Sequence, residues 1–321
     1  MHELTEKILS GNRRAIAKAI TLIESSREDH QKSAQKLLSD LLTHSGNSIR
    51  LGLTGIPGVG KSTFIETFGK MLTAKDIKVA VLAVDPSSKI TGGSILGDKT
   101  RMEELARDKN AFIRPTPSKG TLGGIARYTR EAMIVLEASG FDFIIIETVG
   151  VGQSEVAVAD LVDMFILLLS PGSGDELQGI KRGIMELADL IVVNKADGDF
   201  KDAAKLAASD VENALHLMKS KSENWTVRTL EISALNNIGI EEVWHNVEDF
   251  KKLMVESGEF DIKRSKQSIN SIWSDISELL ISKIKTSSEA DISMLEQQVQ
   301  QNKITSRQAA ETLISTLLKN D

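Results

Sequence analysis

Three features of this sequence predict an α/β protein built on a mostly parallel sheet sandwiched by helices. Apolar, strand-like runs alternate with helical stretches from residue 49 onward, the pattern of strands joined by crossover helices. Several runs are apolar at consecutive positions, as strands covered on both faces must be. At residues 49–72 a short apolar run, a glycine-rich turn and a helical segment follow one another directly.

Residues 4 to 44 read as helical throughout. Ala15, Ile16, Ala19, Ile20 and Ile23 form one apolar stripe, and Leu37, Leu38, Leu41 and Leu42 another, before Ser45-Gly46-Asn47 breaks the pattern. Strands are expected at Ile49–Thr54, Lys78–Val84, Ala111–Arg114, Phe141–Ile146, Met164–Leu169, Leu190–Val193 and Val227–Ile232. After about Glu256 the strands stop. Ile272, Trp273, Ile276, Leu279, Leu280 and Ile284 share one helical face, and Ile304, Ala309, Leu313, Ile314, Leu317 and Leu318 make a second helix. This tail has too few apolar residues for a core of its own. It must fold back on its own domain or pair with a second copy. The expected organisation is a helical segment at 1–46, an α/β domain at 47–256 and a helical arm at 257–321.

With 321 residues, 41% of them hydrophobic, the chain can bury one substantial core plus appendages. A net charge of −6 and 4% aromatics argue against a nucleic-acid surface, which needs clustered Lys and Arg. The absence of cysteine removes disulfides and thiolate metal sites and agrees with a reducing compartment. Met1-His-Glu-Leu-Thr-Glu-Lys has neither an apolar core nor an Arg-rich pattern, so no targeting segment is visible. The longest apolar stretches, such as Phe165 to Leu169, fall far short of the ~20 residues that span a bilayer. A soluble, cytoplasmic protein is the expectation.

Gly55-Ile56-Pro57-Gly58-Val59-Gly60-Lys61-Ser62 fits the phosphate-binding P-loop pattern G-x-x-x-x-G-K-S/T at every fixed position. Glycines at 55, 58 and 60 let successive backbone N–H groups turn inward around a phosphate. The helix N-terminus, entered through Thr63, adds its partial positive charge. Lys61 is expected to reach the β- and γ-phosphates, and the Ser62 hydroxyl to bind Mg²⁺. A glycine-rich turn that binds nothing is the plainer alternative. The order of strand, loop and helix favours a nucleoside triphosphate.

Strand Leu190–Val193 runs into Asn194-Lys195-Ala196-Asp197, an N-K-x-D element. An ionised Asp197 can accept two hydrogen bonds, from guanine N1–H and the exocyclic amine, whereas adenine lacks that donor pair. Such a mismatch discriminates better than shape does. Asn194 would hold the loop and the base edge while the Lys195 stem covers the ring. Ser233-Ala234-Leu235 resembles a second guanine-contacting loop, though an ordinary N-cap would read the same way. GTP and GDP are therefore the expected ligands.

Three acids are candidate Mg²⁺ ligands beside Ser62. Glu147 follows Ile144-Ile145-Ile146, Asp85 ends the strand at 79–84, and Asp98 lies in a Gly-rich loop. Mg²⁺ takes oxygen ligands and keeps waters, so one or two acids suffice; each could instead be a helix cap or a solvated charge. Lys61, Asp85 and Glu147 are the residues expected to carry the chemistry. Val151 follows Gly150 where Ras-like proteins place a water-orienting Gln, and Gln153 is displaced, so slow intrinsic hydrolysis is expected.

Five segments in order carry a wider likeness: Val84-Asp-Pro-Ser-Ser88, Thr91-Gly-Gly-Ser-Ile-Leu-Gly-Asp-Lys-Thr-Arg-Met102, Gly120-Thr-Leu-Gly-Gly124, Glu147-Thr-Val-Gly-Val-Gly-Gln-Ser-Glu155 and Pro171-Gly-Ser-Gly-Asp-Glu-Leu-Gln-Gly-Ile-Lys181. The chain resembles the methylmalonyl-CoA mutase-associated GTPases, of the SIMIBI class of P-loop proteins, over roughly residues 5 to 255. The resemblance implies a homodimeric GTPase that gates adenosylcobalamin loading and protects or reactivates a B12-dependent acyl-CoA mutase. It implies that Asp85, Asp98 and Glu147 lie near Mg²⁺, that Lys61 is the phosphate lysine, that 171–181 is an additional switch, and that the helical arm dimerises. Glycines 92, 93, 172 and 174 suit loops ordered by a γ-phosphate.

Three other readings stand beside it. A nickel-delivering metallochaperone GTPase needs Cys or His clusters, but this chain has no Cys and five scattered His. An ATP-dependent kinase linked to amino-acid transport needs adenine binding, which Asp197 opposes. A nucleotide-regulated scaffold would show no turnover.

Overall fold

The computed structural model describes residues 2–85, 102–117, 122–148, 154–171, 182–218, 221–287 and 289–319. Strands β1 (Ile49–Thr54), β2 (Val79–Asp85), β3 (Ala111–Pro117), β4 (Phe143–Thr148), β5 (Met164–Leu169), β6 (Leu190–Val193) and β7 (Arg228–Glu231) form one sheet. Its order is β3-β2-β4-β1-β5-β6-β7, and every pairing is parallel. The expected α/β architecture is the one observed. β1 is central, with β4 and β5 beside it, so the loop leaving its carboxyl end lies where the strand order reverses. That is where open α/β sheets place their ligand crevice.

Both faces are covered, which explains the unbroken apolar runs. In β4, Phe143 and Ile145 join a core with Phe64, Phe68, Trp225 and Phe250, while Ile144 and Ile146 join one with Ile16, Leu37, Phe112 and Phe165. A third apolar cluster packs β5 and β6 against the helix Lys201–His216 through Leu169, Val193, Ala204 and Val211. Gly52 in β1 admits the Phe165 ring, since a Cβ there would lie 2.5 Å from Phe165 Cδ2.

The N-terminal segment is three helices, His2–Leu9, Arg13–Ile23 and Glu28–Leu42, rather than continuous helix. Asn12 causes the first break: its side chain accepts from the N–H groups of Arg14 and Ala15, both at 3.1 Å, and Gly11 before it has φ +75°. After Ile23 the chain leaves the helix at Glu24, whose carboxylate accepts from Arg114 of β3. The two stripes are buried except Leu42, which is 59% exposed.

At the opposite end of the sheet from the P-loop, the helix Glu259–Ser287 begins with a dense polar anchor. Asp163, buried just before β5, accepts from Arg264 Nε and Nη2 at 2.8 and 2.7 Å and from the Arg50 N–H at 2.8 Å. Arg264 Nη2 also donates to the Ser48 carbonyl at 2.6 Å. Burial pushes the neighbouring Lys263 ammonium below the usual lysine value, against the opposing pull of Asp189 and Asp163.

β3 lies at one edge of the sheet, with Pro115 and Pro117 in register with Ala83 and Asp85 of β2. Proline lacks an N–H, so an edge strand tolerates it where the nitrogen faces away from its neighbour.

The chain divides into two compact units, 1–267 and 268–321. In the second unit the end of Glu259–Ser287 is followed by helices Glu289–Gln300 and Ser306–Lys319, one more than the sequence reading anticipated. Ile304 lies between the last two rather than in a helix. Leu295 and Ala309 are buried, while Ile272, Trp273, Leu279 and Leu280 are exposed, Trp273 by 68%. Among the described residues no helix is long and apolar enough to cross a membrane.

Candidate nucleotide-binding site

β1 delivers Thr54 into the turn Gly55–Gly60, and the helix Lys61–Ala74 starts immediately after it. Gly55, Gly58 and Gly60 all have positive φ, and at two of them a side chain would also clash. Gly60, the residue before the helix, has φ +96°, and a Cβ on it would lie 2.6 Å from Asn194 Nδ2. Gly55 has φ +155°, and its Cβ would meet the Leu168 carbonyl at 2.6 Å. Val59 is fully buried and anchors the turn in the core, whereas Pro57 and Gly58 are exposed and Ile56 is half-buried. Lys61 is 9% exposed, and its ammonium donates to the carbonyls of Gly55 at 2.5 Å and Ile56 at 3.2 Å. A phosphate oxygen entering the turn would offer that ammonium a charged acceptor in place of neutral ones. Ser62 is half-buried and Thr63 exposed, and both lie in the first turn of that helix, where unpaired backbone N–H groups favour an anion.

The structure brings the second and third segments onto this turn through one side chain. Asn194, 3% exposed at the end of β6, donates from Nδ2 to the Val59 carbonyl at 2.9 Å and accepts at Oδ1 from the Ala234 N–H at 3.0 Å. Lys195 has φ +65°, unusual for a side chain of its size, and Lys195 Nζ donates to the Gly58 carbonyl at 2.8 Å. The Ala196 N–H donates to the Ile232 carbonyl at 2.8 Å, which fixes the chain just before Asp197. Asp197 is half-buried and hydrogen-bonded to Asn236.

The loop after β7 is closed on itself. Ser233 and Ile238 exchange N–H to carbonyl bonds in both directions at 3.0 Å, and Ser233 Oγ accepts from the Asn236 N–H at 3.1 Å. Thr67, on the helix that follows the P-loop, donates its hydroxyl to the Ala234 carbonyl at 2.8 Å. Ser233 and Ala234 are buried, while Leu235 is 80% exposed and projects an apolar side chain to solvent. Gly55–Thr63, Asn194–Asp197 and Ser233–Leu235 therefore lie along one rim, at the carboxyl ends of β1, β6 and β7.

Of the candidate metal ligands, Glu147 is buried in β4, in register with Leu53 of β1 and Ala83 of β2. Asp85 closes β2 in register with Pro117; its side chain, like all of Asp98, lies outside the described residues, as do Val151 and Gln153. So do residues 172–181 and 91–101. The candidate donors among the described side chains are the Ser62 hydroxyl and the Glu147 carboxylate, both oxygen, and that chemistry fits a hard cation such as Mg²⁺. Among the described residues no group of three or more His, Asp or Glu side chains is placed to hold a metal ion.

Three features escaped the sequence reading. Asn236 touches Asp197, Thr67 supports the Ala234 loop, and the Thr148 hydroxyl donates to the Thr54 hydroxyl at 2.8 Å between β4 and β1. Thr148 and Asn236 each adjoin a residue singled out in the sequence, Glu147 and Leu235, while Thr67 carried no such signal.

Comparison with known proteins bears on the whole site. A family model described as Methylmalonyl Co-A mutase-associated GTPase MeaB matches residues 16–289. A probable GTPase of Mycobacterium tuberculosis is 51% identical over 281 residues, covering 88% of this chain and 84% of that protein. The mitochondrial methylmalonic aciduria type A homolog of Mus musculus is 47% identical over 319 residues, covering 96% and 77%. A crystal structure of a LAO/AO transport system kinase superposes with a TM-score of 0.77 at 38% identity, covering 99% of this chain and 97% of that one.

Proposed function

The chain belongs to the methylmalonyl-CoA mutase-associated GTPase family, and from that premise we propose that it is a chaperone of an adenosylcobalamin-dependent acyl-CoA mutase. It hydrolyses GTP to GDP and phosphate, and in this reading nucleotide state gates cofactor loading and the protection or reactivation of the mutase. The observation that carries the guanine-nucleotide site is Asn194. One buried amide holds the phosphate turn at Val59 and the base loop at Ala234 together, with Asp197 three residues further on.

In this reading the N–H groups of Gly58–Ser62 and the Lys61 ammonium hold the β- and γ-phosphates, and Asp197 accepts from the guanine edge. The Lys195 stem and Leu235 flank the ring. Ser62 with Asp85, Asp98 and Glu147 would hold Mg²⁺, which supplies charge neutralisation on the phosphates. Glu147 sits beside the carboxyl end of β1, where its carboxylate would contribute an oxygen to that site. Turnover by the protein alone is slow, and the mutase accelerates it.

The exposed apolar face around Ile272, Trp273, Leu279 and Leu280 supports assignment of 257–321 as a dimerisation arm. The other proposed segments are the helical 1–46 and the GTPase domain at 47–256.

Asp197→Asn tests the base assignment. It replaces a two-fold acceptor by an amide, so GTP affinity should fall at least tenfold while xanthosine nucleotides gain, because xanthine offers an acceptor where guanine has an amine. An unchanged order of nucleotide preference would remove the base assignment. The mutase reading is tested by size-exclusion chromatography of the chain with a purified methylmalonyl-CoA mutase, with GTP or GDP. No complex in either state, and no stimulation of phosphate release, would remove it.

A further inference from the structure

We infer that Asn236 is a positioning residue that orients the base-reading carboxylate of Asp197 and thereby sharpens selection of guanine over bases lacking the 2-amino group. The inference rests on the guanine-site reading above and extends it to a residue outside the N-K-x-D and Ser-Ala-Leu segments.

Asp197 precedes a single 3-10 turn, Gly198–Phe200, yet its side chain makes no capping bond to that turn. Its carboxylate is therefore not oriented by its own backbone, the usual arrangement for an Asp at such a position. The hydrogen bond comes instead from Asn236 Nδ2 to Asp197 Oδ2, across 39 residues of chain. The donor is delivered by a rigid support. The paired bonds between Ser233 and Ile238, the Ser233 Oγ bond to the Asn236 N–H and the Thr67 bond to the Ala234 carbonyl leave the loop little freedom. Beyond it, Asn237 at φ +55° and Gly239 at φ +74° complete the turn, and a Cβ on Gly239 would lie 2.8 Å from the Glu231 carbonyl.

A carboxylate has about four acceptor positions over its two oxygens, so Oδ2 can keep Asn236 and still accept from a nucleobase. With one oxygen held, the carboxylate plane is fixed, and only a fixed plane presents both oxygens to two parallel N–H donors. Guanine supplies that pair; hypoxanthine supplies N1–H alone and needs no such alignment. Loss of Asn236 therefore affects the two bases unequally.

The test is calorimetric titration of the full chain and its Asn236→Ala variant with GDP and with IDP, Mg²⁺ present, after circular dichroism shows the variant folded. GDP affinity should fall about three- to tenfold, IDP affinity by less than twofold, so that GDP/IDP selectivity narrows. Asn236→Asp, which sets a second carboxylate against Asp197, should weaken GDP more than Asn236→Ala does. Equal losses for GDP and IDP would reduce Asn236 to a loop support and overturn the inference, as would unchanged selectivity. Asp197→Asn run in parallel separates the two readings. If Asp197→Asn alters base preference while Asn236→Ala does not, the guanine assignment stands and only the positioning role is lost.

Discussion

Asn194→Ala removes a side chain that bonds both the Gly55–Gly60 turn and the Ser233–Leu235 loop. The native amide donates to the Val59 carbonyl at 2.9 Å and accepts from the Ala234 N–H at 3.0 Å, in a position 3% exposed to solvent. Alanine leaves two buried backbone groups short of a partner, each at a cost of about 1–3 kcal/mol. Some relaxation is available, because the Ala234 loop lies near the rim, so the sum is set at about 3 kcal/mol rather than at the upper limit. For a unit of this size that corresponds to a fall in Tm of about 6–12 °C. Urea denaturation of the nucleotide-free protein, followed by far-ultraviolet circular dichroism, measures it. GTP and GDP affinity should fall together, since the lost bonds precede either ligand. A destabilisation below about 0.5 kcal/mol, the range of ordinary surface changes, would refute the view that this amide joins the two loops.

Two further outcomes follow from the fold. Arg264→Ala strips Asp163 of both guanidinium bonds and leaves a buried carboxylate on one backbone N–H, so stability should fall by about 3–5 kcal/mol in denaturant titrations. Burial pushes the Glu131 carboxyl above the usual 4.5, against the pull of Arg127 and Gln35. Such a group favours the folded state below its unfolded value, and that contribution is lost as pH rises through the folded one. Glu131→Gln should therefore be more stable than the native chain at pH 7.5, with the advantage shrinking as pH falls toward 4.5 and constant below it; melting curves at both ends of that range check the sign.

The sheet was legible wherever hydrophobicity alone decides. β1, β5 and β6 occupy the residues that their apolar runs predict, because strands covered on both faces write burial into every position. β3 extends three residues beyond its predicted end at Arg114, since Pro115 and Pro117 read as breakers until their place at an edge is known. The N-terminal breaks depend on Asn12 choosing to cap, a local competition that stripe patterns do not resolve. The helix Glu289–Gln300 went unseen because its apolar stripe is thin, Ile292, Leu295 and Val299, and among its described side chains only Leu295 is buried. At the candidate site, motif spacing picked out the segments Gly55–Thr63, Asn194–Asp197 and Ser233–Leu235, which the fold brings onto one rim. It could not reveal Asn236, because that contact is made by two loops on separate strands and exists only after the chain has folded.

Pro115 and Pro117 give the β3 border a property beyond tolerance of the sheet's end. An incoming strand would find two of the amide donors it needs replaced by ring carbons. Stacking of molecules flank to flank, a hazard for any open sheet held at high concentration, is blocked on that side by composition alone.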